Sequence, residues 1–303
     1  MNPDLRRASV PIASRRSARQ NQCPQTNSTP DQPTPSYYAL KRTYEPTHIL
    51  AKLPGMLWAK GETVPISISL VHAPPTAVAG LTVSAQILDS RFRPLWREER
   101  QVALATGPSV TDQEMGEFTI PDSLEDKFFF LVAELRQTDG RLVSRSVYWP
   151  RCLKLMSDSE FRAKYRHSPQ SSLKFEHGPW LRSQVAATRT SLELNVTSRR
   201  DASETESSVQ VRIRNTGPNP AFNTQFDIVG TRRSFVGTDN DLWLAPGEER
   251  VLKFDILWRD AATRNQAMLT ASAWNAATQQ AAVPSAPANK PPPGASQESS
   301  RPR

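Results

Sequence analysis

The chain is poor in cysteine, histidine and glycine for its 303 residues, and each shortage removes a class of function. Two cysteines, Cys23 and Cys152, supply neither a disulfide framework nor metal-ligand spacing. The four histidines, His48, His72, His167 and His177, are scattered with no spaced carboxylates or thiols beside them, so no metal site is expected. With 12 glycines and no phosphate-cradling loop or nucleophile-elbow motif, nucleotide-binding and esterase readings lose their main support, and no cofactor is expected. No apolar run approaches the roughly 20 residues of a membrane span. The start is basic but has no apolar stretch of the length a secretory leader needs, which makes a cytoplasmic product the default expectation.

Positive charge is abundant, yet it sits at the ends. Of the net +8, residues 1–30 carry +4, from five arginines against Asp4, and residues 276–303 carry +2. The middle is left with +2, too little for a basic groove that tracks a phosphate backbone, so nucleic-acid binding is not expected. Both ends are rich in Arg, Ser, Gln, Ala and Pro with little to bury, and disorder is expected over residues 1–33 and 276–303.

The middle reads as strands. "TVPISISLVH" from Thr63 alternates Val64, Ile66, Ile68 and Leu70 with Pro65, Ser67 and Ser69, the period of a half-buried strand. "LTVSAQILD", "PLWREERQVAL", "GEFTIPD", "FFFLVAELRQ" and "RLVSRSVYWP" follow at similar spacing, the last two joined by a tight turn at Thr138-Asp139-Gly140. Such spacing predicts an all-β chain built of two immunoglobulin-like antiparallel sandwiches, over residues 47–151 and 188–275. A connector over 152–187 carries a capping-box pattern, Ser157-x-x-Glu160, at the start of a short helix. In the second unit Asn215-Thr216-Gly217-Pro218 and Pro246-Gly247 are turn signals.

Ahead of the first sandwich, residues 34–46 read as one short helix. Thr34 is placed to cap it, Pro35 suits its first position and Pro46 ends it. Tyr37, Leu40 and Tyr44 fall at i, i+3 and i+7 and share an apolar, aromatic face built to meet a partner. With nothing behind that face, the helix is expected to fray or to pack on the first sandwich, fraying being the expected outcome.

Catalytic residues are not evident. Glu98-Glu99 and Glu248-Glu249 are adjacent, and neighbouring strand residues point to opposite faces, so neither pair converges on one glycosidic bond. Asp239-Asn240-Asp241 offers oxygens to a calcium ion, but three residues fall short of the six to eight ligands it takes, and a loop of side-chain-to-backbone bonds is the better reading. Seven tryptophans raise sugar stacking. Trp149 and Trp258 at strand ends are read as packing, while Trp243, beside Asp239 and Asn240 in a polar loop, is the candidate for binding carbohydrate.

These segments resemble a family. "DNDLWLAPGEERVLKFDI" (239–256) is similar to the Asp-Asn…Pro-Gly-Glu segment in the last immunoglobulin-like domain of β-mannosidases and exo-β-glucosaminidases of glycoside hydrolase family 2. "VRIRNTGPNPAF" (211–222), "GLTVSAQILD" (80–89) and "LVSRSVYWP" (142–150) resemble the strands before it, and "PSYYALKRTYEP" resembles the last helix of that family's catalytic barrel. The resemblance implies a C-terminal, non-catalytic portion of such an enzyme. The family's acid/base glutamate follows an asparagine on a barrel strand, and this chain has no Asn-Glu dipeptide, so no catalytic residue carries over. The expectations that follow are an accessory module for a separately encoded glycosidase barrel, a free-standing oligosaccharide-binding sandwich, or a remnant without function. Relatives in the family are often exported, which leaves the compartment open.

Overall fold

The computed structural model describes residues 32–53, 55–125, 127–153 and 182–285. The capping-box helix expected from Ser157 and the basic head lie outside the described residues, as does the tail beyond Ser285.

The first sandwich pairs two antiparallel sheets. One has the order β1 (Thr47–Lys52), β3 (Thr63–His72), β6 (Ser109–Thr119); the other runs β5 (Pro94–Leu104), β4 (Val78–Asp89), β7 (Phe129–Gln137), β8 (Leu142–Tyr148). A short parallel pair, β2 (Leu57–Ala59) with β9 (Arg151–Leu153), closes one end. Alternation decides what goes inside. Val64, Ile66, Ile68 and Leu70 of β3 face Val83, Ala85 and Ile87 of β4 and Phe129, Leu131, Ala133 and Leu135 of β7 in one buried cluster. Each fully buried aliphatic or aromatic side chain there contributes on the order of 1.5–3 kcal/mol of transfer free energy. The Thr138-Asp139-Gly140 turn forms as its residues require, with Gly140 at φ +82° and the Gln137 N–H donating to the Arg141 carbonyl at 2.9 Å.

The second sandwich stacks β10 (Leu192–Asp201), β11 (Glu206–Asn215), β15 (Glu249–Trp258) and β13 (Arg233–Gly237) on β14 (Leu242–Leu244), β12 (Ala221–Val229), β16 (Met268–Ala273) and β17 (Ala276–Ala282). Its core is Val209, Val211, Ile213, Leu252, Phe254 and Ile256 against Phe226, Ile228, Leu269 and Ala271. Asn215 holds the two predicted turns together: its Nδ2 donates to the carbonyls of Asn219 (2.8 Å) and Leu244 (3.0 Å), its Oδ1 accepts from Thr190 Oγ1 (2.7 Å), and its carbonyl accepts the Gly247 N–H (2.9 Å). Gly217 lies so close to the chain before β10 that a Cβ would sit 2.3 Å from Thr190 Oγ1.

Three expectations are corrected. The disordered tail does not begin at residue 276, because "AATQQAA" is strand β17, paired antiparallel to β16 with Leu269 opposite Ala281, and Val283 then closes the core. Low apolar content hid it; small side chains and ladder hydrogen bonds, rather than a hydrophobic stripe, hold an edge strand of this kind. The N-terminal helix is α1 (Pro35–Thr43), with Pro35 in its first turn, but the Thr34 side chain makes no capping bond. Nor does α1 pack on the first sandwich; it is a formed helix bonded to the second, as the next subsection describes.

Strand β7 is buried along both faces. Its second face, with Phe130 and Val132, and Phe128 just ahead of the strand join Leu88 and Phe92 of the first sandwich to Val185, Phe222 and Trp243 beyond it. The two sandwiches therefore share a third apolar cluster, which explains why "FFFLVAELRQ" shows no polar alternation until Glu134.

Candidate functional site: a cleft between the helix and the two sandwiches

Beside that shared cluster lies a cleft of about 460 Å³, walled by α1, by β8 of the first sandwich and by the β12 and β14 region of the second. This volume is in the range of small-molecule sites. Six side chains give it its character: Arg42 and Glu45 from the helix side, Arg145 and Trp149 from the first sandwich, Asp241 and Trp243 from the second.

The helix wall is built by a division of labour around α1. Tyr38 is fully buried, and its hydroxyl accepts the Gly237 N–H at 3.0 Å. Lys41, one turn on, donates from Nζ to the Gly237 and Thr238 carbonyls at 3.2 and 2.7 Å. Arg42 Nε bonds Asp239 Oδ1 at 3.1 Å, its Nη2 pairs with the same oxygen at 2.9 Å, and Nη2 also donates to the carbonyls of Asn240 and Asp241. Residues 38, 41 and 42 are neighbours on a helix surface, so one face clamps the 237–241 loop. Another face carries Tyr37 and Leu40, with Tyr44 following as the residue that caps the helix, and the three remain 45%, 58% and 82% exposed.

The 239–241 loop satisfies itself. Asp239 Oδ1 accepts from the Asn240 N–H as well as Arg42, Asn240 Oδ1 accepts the N–H groups of Phe226 and Asp241 at 2.9 Å each, and Asp241 Oδ1 accepts from Gln225 Nε2 at 2.7 Å. Among the described residues no group of three or more His, Cys, Asp and Glu is placed to hold a metal ion. Burial raises the Asp241 carboxyl above its usual range, against the hydrogen bond from Gln225 and the charge of Arg42. Burial, reinforced by the neighbouring charge of Asp239, raises Glu45 as well.

The candidate sugar platform is corrected here. Trp243 is only 9% exposed, and its ring meets Phe92, Phe130 and Phe222 at centroid distances of 5.5, 5.3 and 5.9 Å. It edges the cleft as an interdomain anchor with its faces covered, Asn240 is buried with its amide turned to β12, and Asp239 is spoken for by Arg42. Trp149, read from sequence as packing, is 40% exposed and lines the same cleft, meeting Phe222 edge-on at 5.6 Å. Trp258 is core as read, its Nε1 donating to Ser207 Oγ at 2.6 Å. Trp180 lies outside the described residues.

Arg145 was not singled out by any motif. Its side chain, almost wholly buried, bonds Glu134 Oε1 at 2.6 Å within its own sandwich and reaches across to the Trp243 carbonyl at 2.8 Å and Glu248 Oε2 at 2.9 Å. Burial opposes the charge of Arg145, and the carboxylates of Glu248 and Glu134 outweigh it, raising its pKa further. A lone charge at the middle of strand β8, between Ser144 and Ser146 and opposite Glu134 in the β7–β8 register, was the available signal.

No family profile matches the sequence, and no curated protein sequence does. The solved structures do match. In fold, this chain resembles part of an exo-chitosanase. The exo-chitosanase CsxA of Amycolatopsis orientalis aligns over 82% of this chain and 28% of its own, with 18% identity and a TM-score of 0.54. The exo-β-D-glucosaminidase CsxA bound to inhibitors aligns over the same shares at 18% identity and a TM-score of 0.55. A β-mannosidase of Dictyoglomus thermophilum aligns over 80% of this chain and 23% of its own, at 14% identity and a TM-score of 0.45. The likeness read in the sequence is thus present at the level of fold, to part of CsxA. The chain spans a little over a quarter of the length of CsxA.

Proposed function

We propose that the chain is a non-catalytic accessory module that associates with a glycosidase barrel of family 2 type, offering the outer face of α1 to it. One observation supports this reading above the rest: a nine-residue helix, too short to stand alone in water, is fastened by Tyr38, Lys41 and Arg42 while Tyr37, Leu40 and Tyr44 stay open. An apolar and aromatic patch carried on a fastened helix and left open to solvent is what a hydrophobic contact needs, because less conformational freedom is lost on binding. The test is coexpression with the barrel-bearing portion of an exo-β-D-glucosaminidase truncated before its C-terminal sandwiches. The expected result is a complex that survives size exclusion and is lost when Tyr37, Leu40 and Tyr44 are all changed to Ser. Failure to form any complex would overturn the proposal.

A second reading, binding of an oligosaccharide in the cleft, is favoured by Trp149 alone, whose partly open ring stands near Arg42, Glu45 and Asp241. Calorimetric titration with manno- and chitosan oligosaccharides tests it: heat that disappears in Trp149→Ala supports it, and no heat refutes it.

A further inference from the structure

Helix α1 belongs by chain to one sandwich and by contact to the other. Only Tyr44, Glu45 and Pro46 separate its last residue, Thr43, from β1 of the first sandwich. Its buried ring and its two clamping cations nevertheless seat on Gly237, Thr238 and the 239–241 loop of the second. Three residues span at most about 11 Å, so a short link tethers one end of the helix to the first sandwich while the seat stays with the second.

The seat therefore exists only while the two sandwiches hold their present relation. Groups outside α1 also hold that relation: Phe130 stacks on Phe92 at 5.1 Å and meets Phe222 and Trp243 at 5.3 Å each, and Arg145 bonds the Trp243 carbonyl and Glu248. Trp243 is two residues from Asp241, so the strand that carries the junction's central ring also carries the loop that receives the helix.

We infer that the seating of α1 is gated by the junction between the sandwiches: when the Phe130–Phe222–Trp243 and Arg145–Glu248 contacts loosen, the short link pulls α1 off the 237–241 loop. The outer face with Tyr37, Leu40 and Tyr44 then loses its fixed presentation. Resting on the proposed docking face, the inference adds its regulation: a partner that binds seated α1 selects the closed junction, because it has affinity for that state and less for the open one. Without a partner the gating still stands as a property of the isolated chain, which separates its failure from failure of the docking proposal.

The Gly237 amide is the reporter, since its N–H donates to Tyr38 Oη and is released when the helix lifts. Hydrogen exchange of the full chain would be measured for the unmodified protein, for Phe130→Ala and for Phe130→Leu. Phe130 makes none of the bonds that hold α1, so a direct effect on the seat is not at issue. The expected result is a loss of protection of about tenfold or more at Gly237 and across α1 in Phe130→Ala, larger than the loss at Val83 and Val211 in the two cores, with partial recovery in Phe130→Leu. Unchanged protection at Gly237 in Phe130→Ala would overturn the inference. Should that variant not fold, Arg145→Lys, which keeps the charge and loses the fork, is read in the same way.

Discussion

Arg145 and Glu248 form an ion pair of 2.9 Å that ties β8 of the first sandwich to the end of the turn before β15 in the second. Both side chains are nearly excluded from solvent, and Glu134 flanks the guanidinium on its other side at 2.6 Å. Removing the cation would leave Glu134 with Arg136 alone, at 2.9 Å, and Glu248 with Arg250, at 3.6 Å, two half-exposed partners for two nearly buried carboxylates. Arg145→Met is accordingly expected to destabilise the chain by about 3 kcal/mol, read as a drop in the urea midpoint, and adding Glu134→Gln and Glu248→Gln should restore part of it.

The same network sets an acid limit. Burial would raise the Glu134 carboxyl, but the charge of Arg145 and the hydrogen bonds from Arg136 and Arg145 prevail and hold it below the usual carboxylate range. A depressed folded pKa contributes stability that is complete above the unfolded value, roughly 4.3, and is lost as pH falls through the folded value. Denaturation followed from pH 6 to pH 2 should show that loss below about pH 4, and the dependence should weaken in Glu134→Gln.

Asp241 acts with the opposite sign. Burial raises its pKa, so its ionised form opposes folding above the unfolded pKa, and that opposition is relieved as pH falls through the raised folded value. Asp241→Asn keeps a residue type that tolerates the φ of +55° found there. It is expected to raise the melting temperature at pH 7 and to lose that advantage near pH 3.

Tyr38→Phe keeps the ring in its buried seat and removes the one oxygen that satisfies the Gly237 N–H. A buried donor left without a partner costs about 1–3 kcal/mol in local stability. The loss should appear as faster exchange across α1 with the cores unaffected.

Gly217→Ala tests the closest backbone approach in the second sandwich. Its Cβ would meet Thr190 Oγ1 at 2.3 Å and the Ser191 nitrogen at 2.6 Å, and the latter is backbone that cannot swing aside. A destabilisation on the order of 2 kcal/mol is expected from chemical denaturation, whereas Gly55→Ala, where a Cβ meets nothing within 4 Å, should be close to neutral.

Much of the architecture is legible in the sequence because it depends on local rules. Alternation at Val64, Ile66, Ile68 and Leu70 marks a strand with one dry face, Asp139-Gly140 and Pro246-Gly247 mark turns, and Pro35 and Pro46 bound a helix. Those features depend on a side chain's own direction and its own φ, so no distant partner is needed to read them. Only the tertiary structure decided which surfaces meet. Tyr38, one position from the aromatic stripe, became the buried residue of α1, Trp243 became an interdomain anchor while Trp149 stayed open to the cleft, and β17 formed from residues with little to bury. Each of those outcomes is set by a neighbour far along the chain, nearly 200 residues away for Tyr38 and Gly237, and a hydrophobic pattern states how much a segment buries without stating against what.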